Sequence, residues 1–108
     1  MWNAWRAAAR GIIVAWRTER HLKVHSVAAL AVVYLGLVLK LSGVEWAILT
    51  LAMGMVFAAE YANSALERLV DRVSTERHPL IRDAKDFAAA SVLVAALAAA
   101  VVGLLILG

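Results

Sequence analysis

The sequence predicts an all-α membrane protein with three transmembrane helices preceded by an N-terminal amphipathic interfacial helix. Three observations carry this. The 108 residues are 64% hydrophobic with a mean hydropathy of +0.80, where a soluble domain holds about half apolar residues. A soluble chain this short could not cover so much apolar surface with its few polar side chains. The apolar residues fall into three long runs, with a single proline among all 108 residues. Finally, ten of the eleven Lys and Arg residues fall on one side of those runs. The length suits one domain. The absence of cysteine excludes disulfides and thiolate metal sites and leaves the redox compartment open.

The first element covers residues 1–20. Trp2, Trp5, Ala9, Ile12, Ile13 and Trp16 recur at three- and four-residue steps, forming one stripe of a helix. Arg6, Arg10 and Arg17 flank the stripe. An ordinary amphipathic core helix would show the same period, but three Trp in the first sixteen residues suit the headgroup region. The arginines interrupt any apolar core of signal-peptide length, so no cleaved signal is expected here.

The first span is expected over 24–44. Ser26 to Leu39 carries no charge, and Lys40 and Gly43 close the run. The second is expected over 46–71. Its apolar part, Ala47 to Ala59, is too short to cross alone, but Glu60, Asn63 and Glu67 continue it in helical phase. Gly54 within it reads as a packing glycine. Asp71 to Asp86 is charged, holds Pro79 and reads as the one real loop. The third span is expected over 86–107.

The basic residues set the orientation. Arg6, Arg10, Arg17, Arg20 and Lys23 precede span one; Arg68, Arg72, Arg77, Arg82 and Lys85 lie between spans two and three; only Lys40 is opposite. The positive-inside rule puts the N-terminus and the 71–86 segment in the cytoplasm and the C-terminus outside. The net charge of +3 needs no nucleic-acid partner to explain it.

Glu60, Asn63, Glu67 and Asp71 are spaced by three, four and four residues, which places them in one quadrant of a helix. Carboxylates on a transmembrane helix are costly and normally face a protein interior or a wet cavity. Glu19, Lys85 and Asp86 belong to the same side of the bilayer. Such an acidic face could hold Mg²⁺ in part, with phosphate oxygens and water completing the shell. A carboxylate just inside the hydrocarbon could also act as general base on a hydroxyl at the interface. Alternatively, Glu60 and Glu67 could be structural, paired with Arg68, Arg72 or Lys85.

Glu60 stands about fourteen residues, or roughly 20 Å, along its helix from Trp46. That is toward one interface, whereas a small proton-coupled transporter would want its carboxylate near the midplane. The placement suits an enzyme that draws one substrate from the bilayer and another from the cytoplasm. A small transporter or a structural membrane subunit is the alternative. No GxxxxGK loop and no protein-kinase glycine loop occurs. His21, His25 and His78 read as interfacial polar residues, with His78 a candidate ligand contact.

The stretch EYANSALERLVDRVSTERHPLIRDAKDFAAASVL, Glu60 to Leu93, resembles the signature of the bacterial diacylglycerol kinase/undecaprenol kinase family. That signature is E-x-x-N-[ST]-A-[IL]-E-x-x-V-D, a short loop, then A-K-D-x-A-[AG]; every fixed element is present. ERHLKVH, Glu19 to His25, is similar to the segment joining the surface helix to the first span in Gram-positive-type members, and Glu45-Trp46 also fits those members.

The resemblance implies a homotrimer with active sites shared between subunits, phosphorylating a membrane lipid hydroxyl with Mg²⁺ and ATP. It implies Glu60 as catalytic base and Glu19 and Glu67 as Mg²⁺ ligands, with Asn63 and Asp71 in the same site. Glu76, Arg77, His78, Lys85 and Asp86, together with Glu19 and Glu67, are the implied nucleotide contacts. Arg6, Arg10, His21, Lys23 and Glu60 are the implied lipid contacts. Where such members often read ERN, this chain reads Glu19-Arg20-His21, a departure beside the lipid. ERHLKVH and the Glu45-Trp46 pair tilt the expected substrate toward undecaprenol over diacylglycerol.

Overall fold

The computed structural model describes residues 3–73 and 78–108. Trp2 of the first stripe and Glu76 and Arg77 of the expected nucleotide loop lie outside the described residues. Four helices follow one another: α1 (Ala4–Thr18), α2 (Arg20–Leu39), α3 (Gly43–Val73) and α4 (Pro79–Leu107). The last three are each long and apolar enough to cross a membrane.

Each boundary has a local cause. Asn3 caps α1, its Oδ1 accepting from Trp5 N at 3.1 Å and Arg6 N at 3.3 Å. A single extended residue, Glu19, ends α1 and begins α2. At the far end of α2, Lys40 takes the left-handed conformation at φ 54°, and its N–H reaches Gly36 C=O. Helix α2 therefore starts at Arg20 and stops at Leu39, displaced toward the N-terminus from the apolar run over 24–44. Hydropathy marks what lipid tolerates; the backbone stays helical through Arg20 and Lys23 and turns at Lys40.

A reciprocal cap starts α3. Ser42 N donates to Glu45 Oε1 at 2.9 Å, and Glu45 N donates to Ser42 Oγ at 3.2 Å. Trp46 on the next residue lays its ring against Gly36. A Cβ at that glycine would sit 2.5 Å from Trp46 Cη2, so the α2–α3 turn closes only because residue 36 has no side chain. Helix α3 then runs 31 residues without a break, roughly 46 Å at 1.5 Å per residue. This exceeds the hydrocarbon thickness of about 30 Å, so its last turns stand clear of the apolar layer.

The expectation of a loop over 71–86 is corrected. Helix α3 persists through Val73 and α4 begins at Pro79, so most of the expected loop is helical. Proline at the first helical position starts a helix as readily as it marks a loop. His78 supplies the cap, its Nδ1 accepting from Leu80 N at 3.1 Å. Charge in this stretch measures distance from lipid; it does not oppose helix.

The helices enclose little. Leu22, Leu49 and Val56 are the buried apolar side chains among the described residues, and α4 buries none. Pairing of α3 with α4 runs along small residues such as Ala52, Ala95 and Ala98, which let two backbones approach where lipid supplies no hydrophobic drive. Gly54 is not part of this packing: a Cβ there would meet nothing within 4 Å. Large apolar side chains on every helix face outward, among them Trp5, Leu30, Leu51 and Leu97. That distribution is what a lipid environment rewards and water does not.

Candidate active site

The acidic face of α3 meets the start of α2. Leu22 is fully buried and turns one side of α2 toward the protein. His25, three residues on, lies on the same side. Its Nε2 lies 3.1 Å from Glu60 Oε1. Glu60 is 2% exposed, and its other oxygen, Oε2, is sealed from solvent without a hydrogen-bond partner. One turn further along α3, Asn63 Oδ1 and Ser64 Oγ are likewise buried and unpaired. Leaving one such group unsatisfied costs about 1–3 kcal/mol. Three such groups share one face of α3, an arrangement that calls for hydrogen-bonding partners from elsewhere.

Closer to the helix end, charged pairs tie the elements together. Arg68 Nη2 donates to Glu19 Oε1 at 3.2 Å and to Thr18 Oγ1 at 2.6 Å, fastening the α1–α2 junction to α3. Lys85 Nζ donates to Asp71 Oδ1 at 2.7 Å, joining α4 to α3. Tyr61 on α3 donates its hydroxyl to Ile12 C=O on α1 at 3.3 Å. Helix α1 is thus held over α3, and between them lies a cleft of about 450 Å³ whose lining includes Arg10, Tyr61, Ser64 and Arg68.

The expected residues divide accordingly. Glu60, Asn63 and Asp71 lie along the α3 face as the spacing required, and Lys85 reaches that face from α4. Glu19 reaches it through Arg68, the neighbour of Glu67; Glu67 itself is exposed. Arg10 lines the cleft. Arg6, His21 and Asp86 are exposed. Lys23 Nζ donates to Arg17 C=O at 3.2 Å and stands 5.4 Å from the Trp16 ring centre. His78 Nδ1 is engaged in capping α4. Two members of the site went unrecognised. Sequence position makes His25 an interfacial polar residue, whereas the fold sets it beside the buried Glu60. Ser64 lies four residues beyond Glu60 on the same stripe, which could have singled it out.

No group of three or more His, Asp or Glu arranged to hold a metal occurs among the described residues. Mg²⁺ asks for less than that: it is commonly held by one or two carboxylates, with phosphate oxygens and water filling the octahedron. Of the two expected ligands, Glu19 Oε1 accepts from Arg68 and Glu67 is exposed.

With this geometry in place, comparison with known proteins is decisive. Residues 6–107 match the family described as prokaryotic diacylglycerol kinase. The chain belongs to that family. Over 92% of its length it is 43% identical to an undecaprenol kinase of Bacillus subtilis, covering 80% of that protein. It is 37% identical over 94% of its length to a diacylglycerol kinase of Synechocystis, covering 64% of it. It is 33% identical over 85% of its length to the diacylglycerol kinase of Escherichia coli, covering 75% of it. Family membership makes the chain a lipid kinase, and its three apolar helices make it a multi-pass membrane protein.

Proposed function

We propose that this lipid kinase transfers the γ-phosphoryl group of ATP to the hydroxyl of a membrane lipid, undecaprenol or diacylglycerol, at the cytoplasmic interface of a bacterial inner membrane. The observation that carries the reading is Glu60 Oε2, a buried carboxylate oxygen with no partner, beside a cleft that α1 roofs. A lipid hydroxyl entering there would donate to Oε2. As its proton passes to Glu60, the lipid oxygen bonds to the γ-phosphorus. The bond from that phosphorus to the β–γ bridging oxygen breaks, and ADP leaves with the electron pair. Such transfers ask mainly for positioning and charge neutralisation.

Lys85 and Asp86, with Glu76, Arg77 and His78, contact the nucleotide in this reading. Glu19 and Glu67 would hold Mg²⁺, which neutralises phosphate charge when bound. Helix α1 lies in the headgroup layer, its exposed Trp5, Ile12 and Ile13 in lipid and Arg6 and Arg10 near the headgroup, with His21 and Lys23 following at the start of α2. The one-sided distribution of Lys and Arg supports the cytoplasmic orientation. A homotrimer with shared sites accords with the scant interior of one protomer.

For the choice of lipid, the similarity to an undecaprenol kinase favours undecaprenol. Glu45 caps α3 and Trp46 packs on Gly36. Purified protein in detergent, given Mg-ATP with either lipid, tests the reading. Phosphate should appear on at least one, and faster on undecaprenol. Phosphate on neither would overturn the reading in favour of a transporter or a structural subunit.

A further inference from the structure

We propose that His25 is the positioning residue that makes Glu60 a directional base; the inference rests on the base role proposed above. A carboxylate has two equivalent oxygens and a broad, roughly two-fold terminal torsion. Unrestrained in a pocket, Glu60 could turn toward Asn63 or Ser64, one helical turn away, and satisfy itself. It does neither: Oε2, Asn63 Oδ1 and Ser64 Oγ are all left unpaired. What fixes the carboxylate is the single contact from His25 Nε2 to Oε1 at 3.1 Å. Holding one oxygen sets the direction of the other.

The turn of α2 that carries His25 is fastened to its neighbours. Leu22 is fully buried one turn before it. Ser26, the next residue, donates to Leu22 C=O at 2.8 Å and accepts from Trp16 Nε1 of α1 at 3.0 Å. These bonds tie the α2 turn that carries His25 to α1. A purely structural pair would be expected to use both carboxylate oxygens, because a buried unpaired oxygen is costly; this one keeps Oε2 free. During transfer the lipid proton arrives on Oε2, and His25 Nε2 keeps its place beside Oε1, now the carbonyl oxygen of the neutral acid. No proton passes to the imidazole.

The test uses the full-length protein reconstituted in phospholipid vesicles, with Mg-ATP and the preferred lipid of the two. Wild type, Glu60→Gln, His25→Ala, His25→Leu and His25→Gln are compared for kcat, both KM values and thermal stability. Loss of positioning lowers kcat in His25→Ala and His25→Leu by about 10- to 100-fold at nearly unchanged KM values, the scale of a misplacement of about 1 Å. His25→Gln, whose amide N–H can reach the same oxygen, should recover most of kcat. Wild-type kcat in His25→Ala, equal impairment in His25→Gln, or a defect confined to KM would each overturn the assignment. So would failure of both donor-less variants to fold while His25→Gln is normal, since the contact would then be structural. An active Glu60→Gln would instead overturn the base role, and inactive wild type the kinase reading, so the three failures are distinguishable.

Discussion

Lys85 Nζ lies 2.7 Å from Asp71 Oδ1, joining the second turn of α4 to the last turns of α3. The two side chains are 38% and 65% exposed. A pair so open to water adds only about 0–1 kcal/mol to stability. Its worth is in placing an ammonium beside the acidic face, where phosphate would arrive. Lys85→Ala should therefore leave thermal stability nearly unchanged while raising the KM for ATP about tenfold or more, the worth of one charge-assisted hydrogen bond. ATP titration at saturating lipid checks this; an altered lipid KM with normal ATP KM would contradict it.

Arg68 connects α3 to both Thr18 and Glu19. Replacing it with Ala should loosen the roof over the cleft without unfolding the spans. Amide hydrogen exchange in α1 should quicken at least several-fold, while exchange in the apolar part of α3 stays slow. Equal protection of α1 in both proteins would mean that Tyr61 and the Trp16–Ser26 contact suffice.

Two glycines give opposite expectations. At Gly36 a side chain meets the Trp46 ring, so Gly36→Val should lower stability by about 1–3 kcal/mol, as overpacking does. At Gly54 a Cβ meets nothing within the protomer, so Gly54→Ala should leave the isolated protomer no less stable. Should Gly54→Ala weaken self-association measured by cross-linking, that glycine packs against another copy.

The Ser42–Glu45 cap lies at the opposite end of α3 from the site. Glu45→Ala should cost about 1 kcal/mol, in line with other lost caps. Glu45→Gln, which can rebuild the reciprocal bonds, should cost less. Neither should alter the ratio of rates on undecaprenol and diacylglycerol. A shift in that ratio would return the residue to substrate recognition.

The three spans and the acidic stripe were legible in the sequence because both depend on properties that run along the chain. Hydropathy finds what lipid accepts, and steps of three and four find one face of a helix. The helix ends were less legible. Arg20 and Lys23 are helical although charged, and Pro79 begins a helix inside a segment read as loop. The partner of Glu60 was not legible at all. His25 lies 35 residues away in sequence, and nothing local pairs the two; only the packing of α2 on α3 does. The same holds for Arg68, whose reach to Glu19 depends on the single extended residue between α1 and α2.

The unbroken course of α3 has a mechanical consequence. From Glu60 to Asp71 the helix rises roughly 16 Å without a break. The protein therefore carries a fixed gauge of depth, with Glu60, the proposed base, at one mark and Asp71 at another. A lipid alcohol is acceptable only if it floats level with the first mark. Changing the thickness of the surrounding bilayer moves that level against a rod that cannot shorten, so turnover should respond to acyl-chain length even when the lipid substrate stays the same.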